Sequence, residues 1–277
     1  MSAGVFNNLV LGYGILAVLL FVGLPLIGDF NEIYAYLDKG AIIKREEINI
    51  TMVKPDSPAM LANIKVNDKI LNYGLKEDDF DNQKPLQNFE HFVQNNKGRE
   101  IYLQVKSKTT EKTVIVTPRI EHPENDGPIG VGLMPAVVYS YPFGRNFVEA
   151  FNMVTKTFSM FFKTIGSVFG SIFNLKSDTH DVSGPVGIAV MTNSISKMGS
   201  VYLIAFLASF SINLAIVNLL PIPGLDGGRI LLLLIEKVIG RKIGSKIENY
   251  SVGVGLAFLI VVVIFVTIKD VLFYFIY

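Results

Sequence analysis

Three stretches of this chain run for about the thickness of a bilayer without charge, and they restrict it to folds that can sit in lipid. Met1–Gly28 contains no charged residue, and neither does Val201–Leu220 or Ser251–Ile268. About 20 apolar residues cross the hydrocarbon core as a helix, the form that satisfies every backbone N–H and C=O within its own segment. The chain is 50% hydrophobic, with a mean hydropathy of +0.43, as suits a polypeptide divided between membrane and water. A cleaved signal peptide is the other reading of Met1–Gly28. Such a peptide wants a positive start and a short apolar core, and no Lys or Arg precedes Asp29. The net charge of +1 carries no signal for nucleic acid or another polyanion. Without cysteine there is no disulfide framework. Without tryptophan, Tyr and Phe must serve at the membrane interface.

The second stretch runs into Asn218-Leu-Leu-Pro221-Ile-Pro223-Gly-Leu225-Asp226-Gly227-Gly228. A carboxylate at the end of a membrane-length helix is costly unless it faces protein, water or a metal, so Asp226 is a candidate functional residue. The prolines and glycines beside it free backbone carbonyls, which are tolerated only where protein buries them or water reaches them. The stretch therefore reads as the floor of a polar cavity. The bland alternative is a helix that ends in Pro-Ile-Pro-Gly with a capping Asp.

This segment resembles the second metal motif of the site-2 proteases, zinc metalloproteases that cut within membranes. The resemblance implies that Asp226 is a zinc ligand and that Asn218, Pro221, Pro223 and Gly227 border the active-site cavity. The family's other two ligands are the histidines of an HExxH helix, whose Glu is the general base. Here His91, His122 and His180 are the only histidines, and none begins that motif. A catalytic zinc usually has three protein ligands and a water. Zn2+ is thus implied only if an HExxH helix is supplied. Two His and Asp226 would then hold a metal that activates water and polarises the peptide carbonyl.

Ala3-Gly4-Val5-Phe6-Asn7-Asn8-Leu9 is similar to the Ala-Gly-Pro-x-x-Asn-Phe segment that opens the family's second helix, with Asn8 on its Asn and Val5 in place of its Pro. Asn8 thereby joins the candidate cavity residues. The family's HExxH helix precedes this segment, so the expectation is a chain truncated at its N-terminus or a split enzyme. Val182-Ser-Gly-Pro-Val-Gly-Ile188 resembles the Ser-Gly-Pro-x-Gly-Ile segment that the family carries before its ligand helix. By analogy, the Gly-Pro-Val-Gly stretch is a place for an extended substrate to dock.

Residues 46–120 read as a soluble insert. Ile48–Val53 and Ile101–Val105 alternate as strands do, and Gln87–Asn96 has the spacing of a short amphipathic helix. The run from Asp56 to Leu71 resembles the SPAxxAGLxxGDxI signature of PDZ domains, with Asn63 and Asn67 in place of Gly. Asn is the next-best residue for a left-handed backbone. The resemblance implies a partner, an extended peptide or free C-terminus bound by strand addition. His91, on the candidate groove helix, is a candidate substrate-reading residue or simply a solvated one. His122-Pro-Glu-Asn-Asp-Gly-Pro128 reads as a linker turn, and His180 between Asp178 and Asp181 as a polar loop.

In Phe147–Phe173, Phe151, Val154, Phe158, Phe161 and Phe162 recur at helical spacing, opposite Glu149, Asn152, Lys156 and Lys163. This pattern suits a helix lying in the membrane interface; packing on a soluble core is the alternative. Between the last two spans Arg229, Lys237, Arg241, Lys242 and Lys246 form a short basic loop expected on the cytoplasmic side. Three spans then place the PDZ insert outside and Asp226 near the cytoplasmic face.

The expected fold class is an α-helical membrane protein with about three transmembrane helices, an interfacial amphipathic helix and an inserted α+β PDZ domain. The expected divisions are a transmembrane helix at 1–28, the PDZ domain at 46–120, a linker at 121–146, the interfacial helix at 147–173, a loop at 174–198, and two spans at 199–277. The implied function is intramembrane zinc proteolysis of membrane-anchored substrates in the bacterial inner or plasma membrane, with lipid as a further partner. A non-catalytic, membrane-tethered PDZ protein is the alternative. A transporter or channel subunit is a third class, since broken helices near a carboxylate also suit ion sites.

Overall fold

A computed structural model describes residues 3–81, 85–107, 110–123, 126–174, 184–241 and 244–275. In chain order its helices and strands are α1 (Ala3–Val22), β1 (Leu24–Ile27), α2 (Phe30–Tyr36), β2 (Ile42–Val53), α3 (Pro58–Leu61), β3 (Lys69–Gly74), α4 (Phe89–Asn95), β4 (Ile101–Ser107), β5 (Thr110–Val116), β6 (Val131–Ser140), α5 (Arg145–Asn174), α6 (Pro185–Met198), α7 (Ser200–Asn218), α8 (Asp226–Ile239) and α9 (Ser245–Phe275). The chain is mostly helical and falls into two compact units, Leu20–Pro142 and the combination of Met1–Leu19 with Phe143–Tyr277.

The first unit is a six-stranded antiparallel sheet in the order β1-β6-β2-β3-β4-β5. In β4 the alternation of Ile101, Leu103 and Val105 puts all three in the core, as a period of two requires. Phe89 and Val93 of α4, four residues apart on one helix face, pack into the same core. Asp56, Asn63 and Asn67 adopt positive φ of 55°, 56° and 73°, a left-handed backbone that short polar side chains tolerate. The sheet is wider than 46–120. It takes in β1 and β6, the latter within the stretch read above as linker. The apolar run that opens the chain does not continue as helix to residue 28: Gly23 turns the backbone at φ +147° and Leu24–Ile27 pairs with β6.

Two neighbouring acids on β2 tie this unit together. Glu47, buried, accepts from Lys69 Nζ at 2.7 Å and Arg45 Nε at 3.1 Å. Glu46 accepts from the Tyr34 hydroxyl of α2 and from the Leu86 backbone N–H at 2.9 Å. Burial, reinforced by the hydrogen bond to and the charge of Glu46, raises the Tyr34 phenol above its usual range, and burial raises Tyr73 in the same sense. A folded state that holds a phenolic proton more tightly than the unfolded chain keeps that contribution in full below the unfolded pKa of about 10 and loses it as pH rises beyond it. Urea titrations of the detergent-solubilised chain should therefore show stability falling from about pH 10 upward. Tyr34→Phe should cost about 1–2 kcal/mol at neutral pH and flatten that alkaline decline. An unchanged decline in the variant would assign the effect to other groups.

Among the described residues of the second unit, three helices are long and apolar enough to cross a membrane: Gly4–Val22, Ser200–Asn218 and Tyr250–Leu272. α1 and α7 approach closely through Gly12, where a Cβ would lie 2.6 Å from Ile212 Cγ1 and 3.0 Å from the Ala208 carbonyl oxygen. Small residues at such crossings let helix backbones approach in lipid. Asn146, buried, joins α5 to α1 by donating from Nδ2 to the Ala17 carbonyl at 2.9 Å while its Oδ1 accepts from the Gly144 N–H. α5 is amphipathic as expected, with Val154 buried and Phe151 and Phe162 exposed. Two segments read as loops are helical. Residues from Pro185 form α6, because proline at the first helical position is pre-set for a helix. Arg229 and Lys237 lie on α8, whose remaining residues are mostly Leu and Ile at amphipathic spacing.

Candidate metal-ligand turn

The turn that carries Asp226 is made almost wholly of backbone. α7 ends at Asn218, where the Leu219 N–H is bonded back to Ala215 and the Leu220 N–H to Val217. Gly224, at φ +100°, reverses the chain into α8. The first turn of α8 then lies against the end of α7 with no room for side chains. A Cβ on Gly227 would lie 2.2 Å from the Leu219 carbonyl oxygen and 2.3 Å from that of Leu220; one on Gly228 would lie 2.2 Å from that of Ile222. From α9, Gly255 closes the other side, where a Cβ would fall 1.6 Å from the Pro223 carbonyl oxygen. These contacts are the physical reason for Leu-Asp-Gly-Gly: the glycines let two helix ends and a third helix meet.

Asp226 is the first residue of α8, following the N-cap Leu225, where a negative charge suits the helix dipole. It is half-buried, and among the described residues no hydrogen-bond or ion-pair partner holds its carboxylate. Its Oδ2 faces the start of α1, 3.5 Å from where a Gly4 Cβ would stand. Asn8 follows Gly4 by one helical turn on the same face, and its carbonyl accepts from Ser211 Oγ of α7 at 3.0 Å. Asn218 closes α7 half-buried; Pro221 and Pro223 are exposed; Gly227 is buried. The structure thus gathers Asn218, Pro221, Pro223, Asp226 and Gly227 in one turn and brings the start of α1 to it. Gly4, within the Ala-Gly segment noted above, and Gly255 belong to the same arrangement; no local sequence signal marks Gly255, because its role is to leave space for another segment.

Other expectations fall elsewhere. The Gly-Pro-Val-Gly segment meets α9 at Asp270, whereas the Pro223 turn meets it at Gly255; fifteen residues of helix separate these by about 22 Å. His91 is exposed on α4 in the sheet unit, beside a concavity of about 500 Å³ lined also by Tyr73, Pro85, Asn88, Phe92 and Asn95. The Nδ1 of His122 lies 3.1 Å from the Pro123 carbonyl oxygen. His180 lies outside the described residues. Among the described residues no three His, Cys, Asp or Glu side chains converge as a metal site. Asp226 alone does not hold a zinc, which needs about three protein ligands.

Among the described residues, three membrane-length helices, an apolar helix pair broken by a glycine turn and a carboxylate without a partner define a membrane protein with a candidate metal ligand. The profile of peptidase family M50 matches residues 1–262. The chain belongs to that family, the site-2 proteases, whose function is intramembrane proteolysis. A Clostridium perfringens protein named zinc metalloprotease is 30% identical over 273 residues, 99% of this chain and 72% of the relative. The regulator of sigma-W protease RasP of Bacillus subtilis is 33% identical over 232 residues, 78% of this chain and 52% of its own length. The protease eep of Enterococcus faecalis is 28% identical over 269 residues, 97% of this chain and 57% of its own. The chain thus spans from about half to under three quarters of the length of these relatives.

Proposed function

We propose that this chain forms the part of a site-2-type intramembrane zinc protease that supplies the Asp ligand, with the HExxH helix coming from a segment outside these 277 residues. The observation that carries the reading is the Asp226 carboxylate, without a partner among the described residues, on a turn packed too tightly for side chains. Zinc, when bound, supplies an activated water and a polarised peptide carbonyl. In this chain, Asp226 presents a carboxylate oxygen, and Gly227, Gly228 and Gly255 hold the backbone beneath it. The substrates are membrane-anchored proteins, whose helices must open before a peptide bond is accessible. The sheet unit acts as a PDZ-type module on the extracytoplasmic side, taking an extended peptide or C-terminus, with His91 at the edge of its concavity. α5 lies along the membrane interface with its phenylalanines in lipid.

The test is co-expression with a membrane helix carrying HExxH, followed by metal analysis of the purified complex. About one zinc per complex is expected, with none bound by this chain alone. A complex that forms without zinc would favour the alternative, a membrane-tethered peptide-binding protein without catalysis. The concavity beside His91 is the observation that keeps that reading open.

A further inference from the structure

Asp270 has no part in the reading above, yet it is a buried carboxylate, 4% exposed, inside the third apolar span. Such a group needs donors. One is the Gly187 backbone N–H, 2.7 Å from Oδ2. Gly187 is the third residue of α6, whose first residue, Pro185, has no N–H to offer and whose N-cap, Gly184, has no side chain to accept one. A helix start normally receives an acceptor from its own N-cap side chain, bonded to the second or third N–H. Here the acceptor comes from another helix, and its charge lies at the positive end of α6. Gly184 permits the approach: a Cβ there would lie 2.6 Å from Val266 Cγ1 and 3.0 Å from Asp270 Oδ2. Gly184, Pro185 and Asp270 therefore work as one device.

We propose that Asp270 is a positioning residue, pinning the start of α6 to α9 and, through the packing of α6 on α7, fixing the helix that ends at the Asp226 turn. The role in cleavage rests on the protease reading; the pinning does not. α9 already meets the Pro223 turn at Gly255, so a second fixed point at Asp270 makes it a strut held at both ends. The Gly-Pro-Val-Gly segment is then a joint between helices.

The absence of cysteine makes the test direct. Gly184→Cys with Val266→Cys creates the only thiol pair and removes the Val266 branch that a Cβ at 184 would strike. Disulfide formation is followed in membranes holding the full chain, co-expressed with the HExxH helix. Asp270→Ala should slow cross-linking about tenfold, the scale of losing one charge-assisted hydrogen bond. Asp270→Asn keeps a carbonyl acceptor and should react like the parent. Cleavage should fall in Asp270→Ala, return when the cysteine pair is oxidised, and fall again on reduction. Equal cross-linking in Asp and Ala, or an Asn variant as slow as Ala, overturns the proposal. If cross-linking behaves as expected while the complex with the HExxH helix neither binds zinc nor cleaves, the protease reading is overturned and the pinning of α6 is upheld.

Discussion

Asp226→Asn should empty the metal centre while leaving the fold in place. Among the described residues the carboxylate has no partner to lose, so its removal leaves no donor unpaired. The stability cost should be confined to the weaker interaction with the α8 dipole, about 0.3–1 kcal/mol. The effect on activity is of another order. Outer-shell partners of bound metals already change affinity or activity about 10–100-fold when mutated, and a direct ligand should exceed that. In the complex with an HExxH helix, zinc should fall to background and substrate cleavage by more than about 100-fold, with Asp226→Ala behaving alike. Metal analysis and cleavage of a membrane-anchored substrate check both. A variant that keeps its zinc and its full activity would remove Asp226 from the centre.

Gly255→Ala should be nearly as damaging without touching any polar group. Its Cβ would fall 1.6 Å from the Pro223 carbonyl oxygen and 2.3 Å from the carbonyl carbon. Neither atom is the movable end of a side chain, so either α9 or the turn must shift. Overpacking a core typically costs about 1–3 kcal/mol, and more where the obstacle is rigid. The expectation is a cost at the upper end or beyond, with weakened zinc binding as the turn is displaced. Gly253→Ala is the internal control. It lies two residues away on the same helix, a Cβ there meets nothing within 4 Å, and helix propensity favours Ala by about 1 kcal/mol. Resistance to proteolysis and zinc content of the two variants, measured side by side, decide the matter. Identical behaviour would mean that the turn does not rest on α9 as described.

What could be read in advance follows from where the information lies. The alternation of Ile101, Leu103 and Val105, the helical spacing of Phe89 and Val93, and the uncharged spans are local patterns, and each appears in the structure as the element its period implies. Leu24–Ile27 was hidden because an apolar run has no period to separate the end of a helix from a strand; Gly23 and the partner strand β6 decide it. Arg229 and Lys237 suggested a basic loop, yet the leucines between them form the apolar side of α8. The place of Asp226 on a Pro- and Gly-rich turn after α7 was legible through its motif. Gly255 and Asp270 were not, and Gly4 was seen only as part of its motif and not as a neighbour of Asp226, because each acts on a segment distant in the chain: Gly4 faces Asp226, Gly255 faces Pro223, and Asp270 holds Gly187.

The backbone bed beneath Asp226 also determines how this region can diverge. The contacts at Gly227, Gly228 and Gly255 fall on carbonyl groups of Leu219, Leu220, Ile222 and Pro223, atoms that every residue possesses. The side chains of Leu219, Leu220 and Ile222, exposed or half-buried, can therefore drift among apolar types to match a thicker, thinner or stiffer bilayer while the carboxylate keeps its place. The three glycines have no such latitude. Adaptation to a new lipid composition and preservation of the Asp226 position are thus written in different atoms of the same residues.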